Sequence, residues 1–149
     1  MGLHHFLLIL HLLGAAVWVG GHLVLAIGIL PEVLRKHDVA GLLNFERKYE
    51  PIGMPALIVQ VITGVWMALQ FGIGPNRWFH FADPLERAVS AKLLLLLITV
   101  GFALSARFFV IPKLRPQTLP LMAFHVISVT TLGVLMLIVG SLFRLGGMG

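Results

Sequence analysis

Four blocks of apolar residues, each about twenty residues or longer, run through the chain: Leu3 to Leu30, Ile52 to Phe71, Val89 to Ile111 and Leu121 to Phe143. About twenty consecutive apolar residues cross the hydrocarbon of a bilayer as a helix, so four spans are predicted, at about residues 3-30, 52-71, 89-111 and 121-143. Between them the polar residues gather into short segments. Pro31, Glu32, Arg35, Lys36, His37 and Asp38 mark the first exit into water. Val39 to Glu50 mixes Leu42, Leu43, Phe45 and Tyr49 with charged residues, which predicts a short amphipathic helix lying at the interface. Pro55 falls in the first turns of the second span, where proline costs least. Asp83 before Pro84 is a cap for the third helix, and Pro112 to Pro120 form a basic turn. Short loops joining alternating helices give the fold class: all-α, an integral membrane four-helix up-down bundle, with residues 1-149 as a single membrane domain.

The exceptions inside the spans carry the chemistry. The first span holds His4, His11 and His22, and an imidazole in hydrocarbon needs a partner, so each is a functional hypothesis. Steps of seven and eleven residues at about 100° per residue return all three to one azimuth within roughly 20°. Gly14 and Gly21 lie near this stripe with Trp18 between them, leaving room for a neighbouring helix or a flat ligand. His125 lies near the start of the fourth span, Lys92 near the start of the third and Arg107 near its end.

Composition agrees with the pattern. Hydrophobic residues make up 58% of the chain against 11% charged, and the mean hydropathy is +0.98. A cleavable signal peptide would need a basic flank and a shorter apolar run, so the first span is read as retained. The net charge of +5 sits in loops between spans, which points to membrane orientation and not to nucleic acid. Seven Lys or Arg residues fall on the side of the first and third loops and four on the other, which predicts N-out/C-out termini and a bacterial inner membrane. With no cysteine, a metal must be held by nitrogen, oxygen or thioether sulfur.

Depth then pairs the histidines. With the first helix ending near Leu30, His22 lies about 12 Å above its inner end and His125 about 6 to 8 Å above the same boundary, so the two share a layer. Facing imidazoles suit axial ligation of haem b, with His11 as a second ligand site. The same nitrogens suit copper, and the thioethers of Met54 and Met122 toward the inner end favour Cu(I), with His4 and His5 beginning a ladder of weak sites. The bland alternative is that each histidine bonds a carbonyl or another helix. Lys92 either snorkels to headgroups or holds a haem propionate or an acidic substrate. His80 belongs to an aromatic interfacial segment or caps an outer metal site. Haem-based electron transfer or membrane-coupled oxidation is the leading function, copper binding or transport its rival, and a structural subunit of a larger complex the third. Partners consistent with these are the lipid bilayer, a redox partner or quinone-like small molecule, and a homo-oligomer.

The run His11-Leu-Leu-Gly-Ala-Ala-Val-Trp18-Val-Gly-Gly21 resembles the first helix of the copper-resistance D (CopD) family. Together with Phe45-Glu46-Arg47-Lys48, Met54-Pro55, Gly64-Val-Trp66 and Ala91-Lys92-Leu93, it also resembles the HemJ-type protoporphyrinogen oxidases, four-helix relatives thought to carry haem b. The HemJ resemblance implies an oxidoreductase with His11 as a haem ligand, and Arg47 and Lys92 holding tetrapyrrole carboxylates. This chain reads Pro31-Glu32 and apolar residues around Ala103 where that family has histidines, and it lacks that family's asparagine-glutamate-proline pattern in the fourth helix. The CopD resemblance implies copper movement across or into the inner membrane.

Overall fold

The computed structural model describes residues 2–147, and four long helices account for nearly all of them: α1 (Leu3–Lys36), α2 (Val39–Gln70), α3 (Pro84–Lys113) and α4 (Pro116–Phe143). Each is long and apolar enough to cross a membrane. No strand occurs among the described residues. With only two residues joining α1 to α2 and two joining α3 to α4, the chain must reverse at each turn, which makes the bundle up-down. In space the order is α2, α1, α4, α3: α1 lies between α2 and α4, and α3 packs chiefly on α4. The outward face is apolar, with Ile27, Leu97, Phe108 and Phe109 all more than half exposed. That is the surface lipid demands of an integral membrane protein.

Two helix boundaries differ from the sequence reading for one reason. α1 does not end near Leu30: it passes through Pro31 and stops at Lys36, where His37 takes a left-handed φ of 53°. The residues before Pro31, Val24–Ile29, widen into a π-helical turn, and Ala106–Val110 do the same before Pro112 in α3. A proline lacks the amide proton and presses on the carbonyl four residues back, and a wider turn absorbs both defects without ending the helix. Likewise, Val39 to Glu50 is not a separate interfacial helix. It is the opening of α2, which runs on through Pro51 and Pro55, and Asp38 caps it by accepting from the Gly41 N–H at 2.9 Å. The predicted Asp83 cap is present, accepting from the Glu86 N–H at 2.8 Å.

The histidine stripe has the single facing that its spacing requires, and the face belongs to α2. His4 meets Gln70 at 2.7 Å, His11 meets Thr63 at 2.8 Å, and the His22 ring edges onto Tyr49 at 5.6 Å between centroids. The glycines beside the stripe admit α2 and no flat ligand. A Cβ at Gly14 would stand 3.0 Å from the Ala56 carbonyl oxygen, and one at Gly21 would overlap the Tyr49 ring.

The loop from Phe71 to Asp83 folds over the end of the bundle. Ile73 is buried, Trp78 donates its indole N–H to the Ile73 carbonyl at 3.0 Å, and Arg77 bridges Asp83 at 2.6 Å and the buried Glu86 at 3.3 Å. His80 is exposed on this loop.

Candidate functional site

Between the four helices, in the half of the bundle nearer the α1–α2 and α3–α4 turns, lies a cavity of about 50 Å³. α1 contributes Trp18 and His22, and α2 contributes Glu46, Tyr49, Glu50 and Met54. α3 contributes Ala106 and Arg107, and α4 contributes Met122 and His125. Both predicted histidines of the inner half therefore reach one cavity, together with both predicted methionines. His11 does not line it.

Each imidazole is anchored in the same way. His22 donates from Nδ1 to the Trp18 carbonyl at 2.8 Å, and His125 donates from Nδ1 to the Leu121 carbonyl at 2.9 Å, each reaching back one turn along its own helix. A carbonyl only accepts, so Nδ1 holds the proton and the neutral ring presents the Nε2 lone pair. Metal-binding histidines are oriented by such a bond at the second nitrogen. His125 Nε2 takes a hydrogen bond from the Ser105 hydroxyl at 3.0 Å. His22 Nε2 has no hydrogen-bond partner among the described residues.

The two rings do not share a layer. Because α1 continues to Lys36, His22 lies fourteen residues, roughly 21 Å, from that end instead of about 12 Å. The Thr130 hydroxyl donates to the His22 carbonyl at 3.2 Å, so His22 stands level with Thr130, about 7.5 Å beyond His125 along α4. Both side chains lean toward their own helix N-termini, which in antiparallel helices separates the rings further. Among the described residues, no group of three His, Asp or Glu side chains is placed to hold one metal ion. The arrangement is instead two levels. His125 sits one turn from Met122 on the same face of α4, while His22 and Met54, about fifteen residues in from adjoining helix ends, lie deeper.

These dimensions do not fit haem b. Pockets for organic ligands of a few tens of atoms run to several hundred Å³, whereas this cavity has room for an ion with a water or two. The imidazoles also do not oppose each other in one layer, as the shared-layer expectation required.

The mouth of the cavity was not foreseen from sequence. Glu50 forms an ion pair with Arg107, joining α2 to α3, which otherwise scarcely touch. Glu46, one turn earlier on the same face, is half-buried and has no ion-pair partner among the described residues. Tyr49 donates to the Val17 and Trp18 carbonyls, both at 3.0 Å, and carries its ring to His22. The spacing of Glu46, Glu50 and Met54, at i, i+4 and i+8, marks one helical face, which is visible once the helix is carried through Pro51.

The other predicted residues lie elsewhere. His11 stands in the opposite half, its Nδ1 donating to the Thr63 hydroxyl, which in turn donates to the Val59 carbonyl at 2.6 Å. Its ring rests against Gly64, where a Cβ would come within 3.2 Å. Lys92 is within electrostatic reach of His11, and its Nζ lies against Gly140 of α4, so the ammonium points into the bundle. Arg47 is exposed and outside the cavity, and His4 and His5 are at the exposed start of α1.

Comparison with known proteins adds one finding. Neither the curated proteins nor the solved structures include a significant match. A family model described as Copper resistance protein D matches residues 43–143, which is more than half of the chain and covers the cavity-lining parts of α2, α3 and α4, so this chain belongs to the copper resistance protein D family.

Proposed function

We propose that this membrane bundle binds copper as Cu(I) inside the cavity, as a step in moving the ion into or across the membrane. The observation that carries the reading is the donor set: two imidazoles fixed through Nδ1, with Nε2 of His22 unpartnered and Nε2 of His125 held by the Ser105 hydroxyl, and two thioethers, lining one small cavity. Imidazole and thioether together favour Cu(I) over harder divalent ions. The two levels supply His125 with Met122, then His22 with Met54. Sites of few ligands suit an ion that must be released again. Family membership supports copper handling, and it supports it better than haem chemistry, which the cavity volume opposes.

The basic residues flanking the α1–α2 and α3–α4 turns argue for N-out/C-out insertion, with the cavity mouth toward the cytoplasm of a bacterial inner membrane. Lys92 and His11 lie outside the cavity, and their part in copper chemistry is indirect at most.

The test is metal content and spectrum together. Protein purified in detergent, reduced and titrated anaerobically with Cu(I) against a competing chelator should be colourless and bind one or two equivalents. His125→Ala and His22→Ala should each weaken binding by tenfold or more. A Soret band, or a protein that takes up no Cu(I), would overturn the reading.

A further inference from the structure

The far end of the cavity is closed. Beyond His22 the buried side chains of Trp18, Val19 and Leu57 pack together with Val129 beside them, a floor of apolar surface in which the only unpartnered buried polar side-chain atom among the described residues is the Trp18 indole nitrogen. Past that floor the next inward-pointing charge is Lys92, for which no acidic partner occurs among the described residues. An apolar plug backed by a positive charge opposes a cation twice, by desolvation and by repulsion. The near end has the opposite character. α1 and α2 are each more than thirty residues long, about 50 Å against a hydrocarbon core of about 30 Å, so their turn-side ends project into the interfacial zone. Glu46 lies about 10 Å from the start of α2, at the edge of that zone, and Glu50 one turn deeper, at about 16 Å.

The geometry points to Glu46 as the entry ligand of a one-sided cavity, with the Glu50–Arg107 ion pair as a latch that an incoming cation displaces. This rests on the copper reading and specifies how that site is loaded. Glu50 is engaged by Arg107, while Glu46 holds a carboxylate without an ion-pair partner on the cavity wall. A Cu(I) ion handed over at the mouth meets that carboxylate at about the depth of His125 and well short of His22. Transfer to His125 and Met122 then exchanges a hard oxygen for softer donors, which draws the ion inward. Arg107 keeps its charge throughout and swings between Glu50 and solvent. No bond other than metal–ligand contacts is made or broken, and no electron moves. α2 and α3 are otherwise nearly out of contact, so releasing this pair widens the mouth without unpacking the bundle.

The experiment separates rate from affinity. Full-length protein in nanodiscs is mixed anaerobically with Cu(I) supplied as its cationic acetonitrile complex in a stopped-flow instrument, and the same samples are titrated to equilibrium against a chelator. Focusing by a charge at a low-dielectric mouth changes on-rates by about tenfold to a thousandfold. Glu46→Gln should therefore slow loading at least tenfold while the equilibrium affinity stays within about threefold, and Arg107→Gln should speed loading severalfold. Glu46→Gln is nearly isosteric and carries the test alone if Arg107→Gln fails to fold. Loading of Glu46→Gln at the wild-type rate, or rate and affinity falling in proportion, would overturn the entry role while leaving copper binding standing. A wild-type protein that takes up no Cu(I) would overturn the copper reading itself, and the entry role with it.

Discussion

Gly21→Ala tests whether the wall of the cavity is built as described. A Cβ at Gly21 would fall within the Tyr49 ring, overlapping Cε2, Cζ and the hydroxyl. The ring cannot retreat toward α2 either, because Gly53 of its own helix is already close: a Cβ there would stand 2.6 Å from Tyr49 Cε1. Overpacking of this kind costs about 1–3 kcal/mol. Displacing the ring also loses its hydroxyl bond to the Val17 and Trp18 carbonyls, about 1 kcal/mol more. The intrinsic helix preference of alanine over glycine returns up to about 1 kcal/mol. The net destabilisation is then about 1–3 kcal/mol, which for a chain of this size lowers Tm by roughly 2–12 °C. Unfolding followed by far-UV circular dichroism in detergent would measure it. Tyr49→Leu vacates the space, so the double variant should be less destabilised than the sum of the singles, by about 1 kcal/mol or more. Strict additivity, or a Gly21→Ala protein as stable as wild type, would refute the close packing of α1 on α2 at this level.

Three further outcomes follow from named contacts. Ser105→Ala removes the hydroxyl that occupies His125 Nε2 at 3.0 Å, so Cu(I) no longer competes with a hydrogen bond worth about 1 kcal/mol and the affinity should rise about fivefold in a chelator competition. Lys92→Met removes an ammonium for which no acidic partner occurs among the described residues, and should raise Tm while leaving the Cu(I) affinity unchanged; a loss of affinity would bring Lys92 into the site. Thr63→Val deprives the His11 Nδ1 of its acceptor and should destabilise the protein by about 1–3 kcal/mol with no effect on copper, read by the same unfolding and titration.

The span pattern was legible because it depends only on runs of apolar residues, and the single histidine stripe because 7- and 11-residue steps are a geometric fact about helices; that the stripe faces α2 was not. The cavity mouth was hidden by the prolines. Pro31 reads as a helix end by the rules of soluble proteins, and Val39 to Glu50 as a helix separate from the span that follows. Here the π-helical turn at Val24–Ile29 and the long run of α2 carry the backbone past both boundaries. That extension moved His22 to a depth of roughly 21 Å and out of the layer of His125. It also joined Glu46 and Glu50 to the face of Met54. In the sequence Arg107 reads as an orientation charge, and its pairing with Glu50 depends on the meeting of two helices that are not neighbours in the bundle, which no local pattern encodes.

X-ray absorption at the copper edge addresses the donor set itself. Cu(I)-loaded protein should show a low coordination number with both imidazole nitrogen and thioether sulfur around the ion, and the sulfur signal should vanish in Met54→Leu/Met122→Leu while the nitrogen remains. Copper surrounded only by oxygen, or an unchanged spectrum in the double methionine variant, would contradict the assignment of this cavity as the copper site.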